Sequence, residues 1–190
     1  MIQASFLQSE GFMLRRAGAA ELERLRALQG AAYAQNRPLL GVEPLPLRAD
    51  YADVLRDMEV WVLPADGQTI GQTIGHTDGQ TVSPFLGALI VEPRASDLLI
   101  WSIAIHPSVQ GTGLGRALLA AAEARARQTG RSILRLYTGT PLAHLLAWYG
   151  RHGYAIERIE ALSDRSITHM IKHLGCMHGE KGPARKEQRA

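Results

Sequence analysis

The chain of 190 residues has a single cysteine, Cys176. No internal disulfide framework can form, and a lone thiol suits a reducing compartment such as the cytoplasm. No apolar run approaches the ~18 residues that a membrane-spanning helix needs, so no membrane partner is expected. The opening stretch, MIQASFLQSEGFMLRR, has no basic leader and is broken by Gln, Ser and Glu, unlike a secretion signal. An excess of one charge is missing too, with Lys+Arg at 21 against Asp+Glu at 18. Residues 181–190 (KGPARKEQRA) hold four of the basic groups and one acid. The body is therefore near neutral and offers no electrostatic footprint for nucleic acid.

What is present is an ordinary globular composition, 46% hydrophobic, long enough for one domain with a buried core. Short apolar runs alternate with helical patterns, which reads as an α/β sandwich. FMLRRA reads as a first strand. Leu22, Leu25, Leu28 and Ala32 recur at helical spacing and predict an amphipathic helix over 19–34. NRPLLGVEPLPLRAD, rich in proline, reads as a loop ending at Asp50, an N-cap for a short helix through Met58. VWVLPADG and FLGALIVEP read as paired strands. Between them QTIGQTIG is a tandem repeat of two copies, too few for a solenoid, so 68–83 is expected to be a surface insertion. LLIWSIAIH is apolar on both faces and therefore central. A helix ending at Gly130, a strand ILRLYT, a helix opening at Pro141 and a closing hairpin of YAIERIEAL and ITHMIKHL complete a single domain over 1–174. The polar remainder, 175–190, is expected to be disordered.

The central strand runs straight into HPSVQGTGLGRALL, with glycines at 111, 113 and 115. Three glycines there imply a tight bend or the close approach of a ligand. A dinucleotide loop would want glycine at 116 and an acid ending the next strand, and has neither. A triphosphate loop would need Gly-Lys-Ser/Thr, which occurs nowhere in the chain. Two readings stay open: a plain strand-to-helix turn, or an anion cradle of bare backbone N–H groups at a helix N-terminus, with Arg116 adding charge.

IHPSVQGTGLGRALL resembles motif A of the GNAT superfamily of acyl-CoA-dependent N-acyltransferases. AWYGRHGYAIER is similar to that family's motif B, with Tyr149, Gly153 and Tyr154 at the matching places. The similarity runs from about residue 12 to 174. It implies a mixed, mostly antiparallel central sheet flanked by helices, with splayed central strands. It also implies acetyl transfer from acetyl-CoA to a primary amine of a small molecule, peptide or protein, without a metal. Backbone groups of Ile103, Ala104 and Ile105 would hold the pantetheine arm and the thioester oxygen. Gln110, Gly111, Thr112, Gly113, Leu114, Gly115 and Arg116 would hold the pyrophosphate. Tyr149 matches the family's general acid.

The chain departs from the pattern in two places. Leu99 and Tyr137 stand where relatives carry a catalytic glutamate, which leaves Asp97 as a candidate base, with Glu92 near it and deprotonation through water as the other route. Leu142 replaces an asparagine that contacts the coenzyme, with His144 as a possible substitute. These departures keep a second reading open, a non-catalytic acyl-CoA sensor on the same scaffold. Tyr33, Tyr51 and Trp61 are candidate walls for the acceptor, and Asp50, Glu43 and Glu92 could attract a cationic amine. His169 and His173, with Cys176 and His178, suggest a metal only if they lie on a helix, because a strand sets the first pair about 13 Å apart. A homodimer is compatible with the resemblance.

Overall fold

A computed structural model describes residues 6–65 and 84–175. The expected insertion over 68–83 and the tail from 176, with Cys176 and His178, lie outside the described residues.

Among the described residues eight strands form one open sheet in the order β1-β2-β3-β4-β5-β6-β8-β7. They are β1 (Phe6–Ser9), β2 (Phe12–Arg16), β3 (Glu59–Pro64), β4 (Phe85–Pro93), β5 (Leu98–Ile105), β6 (Ile133–Gly139), β7 (Ala155–Ala161) and β8 (Ser166–His173). Every pairing is antiparallel except β5 with β6. The sheet is the mixed, mostly antiparallel one that the resemblance implies. The first strand was not foreseen: β1 folds back on β2 through Glu10 and Gly11, both at positive φ.

Helices cover both faces. On one side lie α1 (Leu22–Tyr33) and α4 (Tyr51–Asp57); on the other α5 (Leu114–Gln128) packs, with residues of α6 (Ala143–Arg151) against the same core. The buried residues of α1 are Leu25, Leu28, Gln29 and Ala32, the i, i+3, i+4, i+7 stripe of a core-facing helix. Gln29 is a polar group in that stripe, and its partner is described below. Asp50 caps α4 by accepting from the Ala52 N–H at 2.8 Å. The proline-rich stretch before it is not a plain loop: it winds into two single turns, α2 (Arg37–Leu40) and α3 (Leu45–Arg48). Pro38 and Pro46 sit within those first turns, where the missing N–H costs nothing. Pro141 does not open α6, which begins two residues later at Ala143.

The strand LLIWSIAI is central as expected, with helices packed over both its faces. On the α5 side sit Leu98 and Ile100, and on the α1 side Ala104. Its pairing with β6 is short. Only Leu98–Ile100 meet Leu134–Leu136, whereas β6 stays with β8 along its whole length, Ile133 to Gly139. Against β4, the partner of Ile90 is Ser102 and that of Val91 is Ile100, so Trp101 is an extra residue. Such a bulge bends a strand and sharpens its twist. The two central strands therefore splay apart beyond Ile100, leaving one edge of β5 with no neighbouring strand among the described residues.

Candidate active site

The open edge of β5 has a fixed chemistry. The His106 N–H donates to Leu86 O at 2.9 Å, and the register continues through Gly87 with Ile105, Ala88 with Ala104 and Leu89 with Ile103. In an antiparallel ladder, bonded and non-bonded pairs alternate. Ala104 thus turns its N–H and C=O toward β4, while Ile103 and Ile105 turn theirs toward the gap left by β6. Ala104 does not share the role expected of it, because strand periodicity points its backbone the other way. The Ile105 carbonyl is also occupied, accepting from Gln110 Nε2 at 3.2 Å. Among the described residues, both groups of Ile103 and the Ile105 N–H find no partner on this edge.

The glycine loop follows, and its three glycines answer two different needs. Gly111 and Gly113 have φ of 80° and 92°, and a Cβ on either would meet nothing within 4 Å. They permit a left-handed bend and leave the space over it bare. Gly115 has no such φ; a Cβ there would stand 3.1 Å from Ile105 Cδ1 and 3.2 Å from Trp148 Cζ2. It lets α5 pack closely against β5 and α6. The first helical bond of α5 is Ala117 N–H to Gly113 O, and Gly113 offers no side-chain cap. The N–H groups of Leu114, Gly115 and Arg116 are thus the unpaired donors of a helix N-terminus. Thr112 Oγ1 is spent on Val109 O at 2.7 Å. Arg116 is exposed and donates through Nε to Glu10 at 2.9 Å.

These parts line one groove of about 650 Å³. Ile103, Ile105, Gln110, Gly111, Gly113, Gly115 and Arg116 form one wall, and His144, Leu145, Trp148, Tyr149 and Arg151 of α6 face them. Tyr33, Gln35 and Asn36 close it from the end of α1. Tyr33 is pinned there. Its hydroxyl shares a hydrogen bond with Ser102 Oγ at 3.2 Å, and Ser102 Oγ donates to Gln29 Oε1 at 3.1 Å. The polar residue buried in the α1 stripe therefore serves to orient a tyrosine. Burial pushes the Tyr33 hydroxyl up to about 12, with the Ser102 hydrogen bond opposing the shift.

Tyr149 stands between two rings, 5.0 Å from Trp148 and 5.9 Å from Tyr154, both edge-on. Burial raises its pKa well above the ordinary tyrosine value, and the neighbouring Tyr33 adds to the shift. The site thus keeps this phenol protonated and makes it a weaker acid than a free tyrosine.

Asp97 does not join the groove. It opens β5 at the opposite end, six residues from Ile103 and so roughly 20 Å away along the strand. It is 4% exposed, and its Oδ2 accepts from Arg135 Nη1 at 2.7 Å and Ser96 Oγ at 3.1 Å. The expectation of a base at Asp97 is corrected: the carboxylate belongs to an ion-paired strand end. Of the three candidate walls, only Tyr33 is one. Tyr51 and Trp61 are core residues at 2% and 1% exposure. His169 and His173 lie on β8, and His169 Nε2 meets Glu160 at 2.8 Å. Asn36 and Arg151 also line the groove, and no local signal in the sequence marks either. Asn36 opens the proline-rich stretch, where no periodicity marks a facing residue, and Arg151 reads as an ordinary last-turn cation.

Splayed strands, a bare helix N-terminus and the groove between them make up the candidate site. The sequence profile of the Acetyltransferase (GNAT) family matches residues 22–154, and the chain belongs to that family. Among solved structures, it is similar to the PaiA N-acetyltransferase of Thermoplasma acidophilum in complex with coenzyme A. That likeness has a TM-score of 0.63 at 16% identity over 84% of this chain and 97% of the other. It is also similar to the ribosomal-protein-S18-alanine N-acetyltransferase of Escherichia coli, at 0.63 and 18% over 90% and 98%. A third, a GNAT family acetyltransferase of Elizabethkingia anophelis with acetyl-CoA bound, gives 0.50 and 16% over 70% and 92%. No curated protein sequence matches significantly. Identities this low speak to the fold alone. Among the described residues no helix is long and apolar enough to cross a membrane.

Proposed function

We propose that the chain transfers an acetyl group from acetyl-CoA to a primary amine. One observation carries this reading: the bare loop amides, the free edge of β5 and the Tyr149 ring line the same groove. The residues fit the ligand. Gly111 and Gly113 leave open space over unpaired N–H donors, where the helix dipole favours a diphosphate, and Arg116 and Arg151 add positive charge along the wall. The Ile103 backbone offers donor and acceptor to a pantetheine amide, and the Ile105 N–H offers a donor for the thioester oxygen as it gains charge.

Acetyl-CoA supplies an acetyl group activated as a thioester. The amine nitrogen bonds to the carbonyl carbon, the C–S bond breaks, and the sulfur leaves with the electron pair while the nitrogen loses a proton. Tyr149, which lines the groove on the α6 side, is the side chain assigned in this reading to help the sulfur. A thiol ionises near 8.5 and a free tyrosine near 10, and burial widens that gap. Full proton transfer from Tyr149 is therefore steeply uphill, so its part is a hydrogen bond donated to the developing thiolate, with the amine as the net source of the proton.

The test is calorimetry with acetyl-CoA, followed by detection of free thiol across a panel of amines. Binding with turnover supports the reading. Binding without turnover on any amine supports the second reading, an acyl-CoA sensor. Absence of heat at millimolar acetyl-CoA overturns both.

A further inference from the structure

A second cavity lies beside the groove, between the α2–α3 segment and the far end of β6. The two share Tyr33, Asn36 and Leu145 as walls, so the second cavity adjoins the groove that Tyr149 also lines. Its lining is apolar and aromatic, with Trp101 of the bulge, Tyr137, Leu142, Pro44 and Pro46. Its one charged wall is committed elsewhere: Arg165 pairs with Asp164 and donates to the Glu43 carbonyl at 3.1 Å. Among the described residues no Asp or Glu lines either cavity. The acids expected to draw in a cation are engaged: Asp50 caps α4, Glu43 pairs with Arg37, and Glu92 with Arg94. At the junction Asn36 is 6% exposed, and its Oδ1 has no hydrogen-bond partner. A buried amide oxygen left unpaired is costly, and a donor brought by a ligand removes that cost.

Two consequences follow. A cavity without a carboxylate neither stabilises an ammonium nor deprotonates one, so the acceptor must arrive neutral. At pH 7 an amine as basic as lysine is neutral in roughly one molecule in 2,500, whereas an amine of pKa near 8 is neutral in roughly one in 10. Apolar walls also favour a body without charge. Resting on the acetyl-transfer reading, we propose that the acceptor is a weakly basic primary amine on a compact, uncharged, aromatic or apolar body. The body sits in the second cavity, and one amine N–H is donated to Asn36 Oδ1.

Four amines on the unmodified protein test this by free-thiol release: phenylalanine amide (weak base, apolar body), phenethylamine (strong base, the same ring), glycine amide (weak base, no body) and spermidine. Phenylalanine amide is expected to give the highest kcat/KM at pH 7. Phenethylamine should fall ~10²-fold below it, with the gap closing about tenfold in all between pH 7 and pH 9. Glycine amide should lose about 10- to 50-fold for want of the buried ring. The variant N36L should raise the KM for phenylalanine amide about tenfold and leave the acetyl-CoA Kd within twofold. Preference for spermidine, or a gap between the two aromatic amines that ignores pH, overturns the inference while acetyl transfer stands. Thiol release with none of the four overturns the inference too; if acetyl-CoA also fails to bind, the underlying reading falls with it.

Discussion

Tyr149 and Tyr33 show how far one side chain's role depends on its surroundings. Sequence alone allows Tyr149 to act either as a proton donor with a lowered pKa or as a hydrogen-bond donor. Burial against Trp148 and Tyr154 pushes its pKa up, which on the proposed acetyl transfer favours the second. On that mechanism Tyr149→Phe removes one hydrogen bond made in the transition state, so kcat should drop about 10²-fold, while acetyl-CoA affinity stays within twofold. Calorimetry and steady-state kinetics on the same preparation check both. A variant keeping most of its turnover would take Tyr149 out of the chemistry. The raised pKa adds a condition on the wild type: kcat should show no limb from this group between pH 6 and 10, because the phenol stays protonated throughout. Any pH dependence there reports the amine. At Tyr33, loss of the Ser102 contact by Ser102→Ala would free the ring that closes the groove, a change visible in the acceptor KM.

At the scale of elements, the strand–loop–helix unit from Leu98 to Gln128 carries most of the site. Gly111 and Gly113 differ from Gly115 in a measurable way. Gly113→Val adds bulk to open space over the unpaired amides and strains a φ of 92°. It should weaken acetyl-CoA binding at least tenfold and cost about 1 to 2 kcal/mol of stability. Gly115→Ala instead presses on Ile105 and Trp148, so its effect should appear chiefly in the melting temperature. Calorimetry and thermal melts separate the two. This unit was legible in the sequence because each part has a local cause: apolar run, glycines, alanine-rich helix. The pairing partners were not. The bulge at Trp101 and the early parting of β5 from β6 arise from contacts between strands far apart in sequence, and no local pattern encodes them. The same reason hid Ala104, whose backbone direction depends on register with β4. It also hid Asp97, whose partner Arg135 is 38 residues away. Strand β1 was missed because four residues hold too little pattern, and the turns α2 and α3 because proline reads as a loop signal before it reads as a first helical turn.

Over the whole molecule, ionisation sets the limits of stability from both ends of the pH scale. On the acid side, Glu21 joins β2 to α1. It receives Arg15 in two hydrogen bonds, Arg24 in one and the Gly18 N–H at 3.0 Å. The Arg15 hydrogen bonds, chiefly, draw its pKa down to about 2. A lowered folded value gives stability that is present above the unfolded value and is lost as pH falls toward 2. Glu21→Gln should therefore cost up to about 3 kcal/mol at pH 7 and little near pH 2, as read from denaturant midpoints. On the alkaline side, all five tyrosines of the chain, Tyr33, Tyr51, Tyr137, Tyr149 and Tyr154, are raised, each first of all by burial. In the unfolded chain they ionise near pH 10. Between that value and the folded ones, the native state holds protons that the unfolded state releases, so stability must fall as pH rises. Below pH 10 they contribute no slope. Tyr33, raised to about 12, alone removes up to about 3 kcal/mol across that window. Because the five rings sit in both cores and around the groove, their ionisation should be cooperative with unfolding. Tyrosinate absorbance and loss of the helical circular dichroism signal should then rise together above pH 10. Tyrosinate appearing near pH 10 with the helical signal intact would mean that water reaches these rings in the native state, and the protonated Tyr149 on which the groove's chemistry rests would go with it.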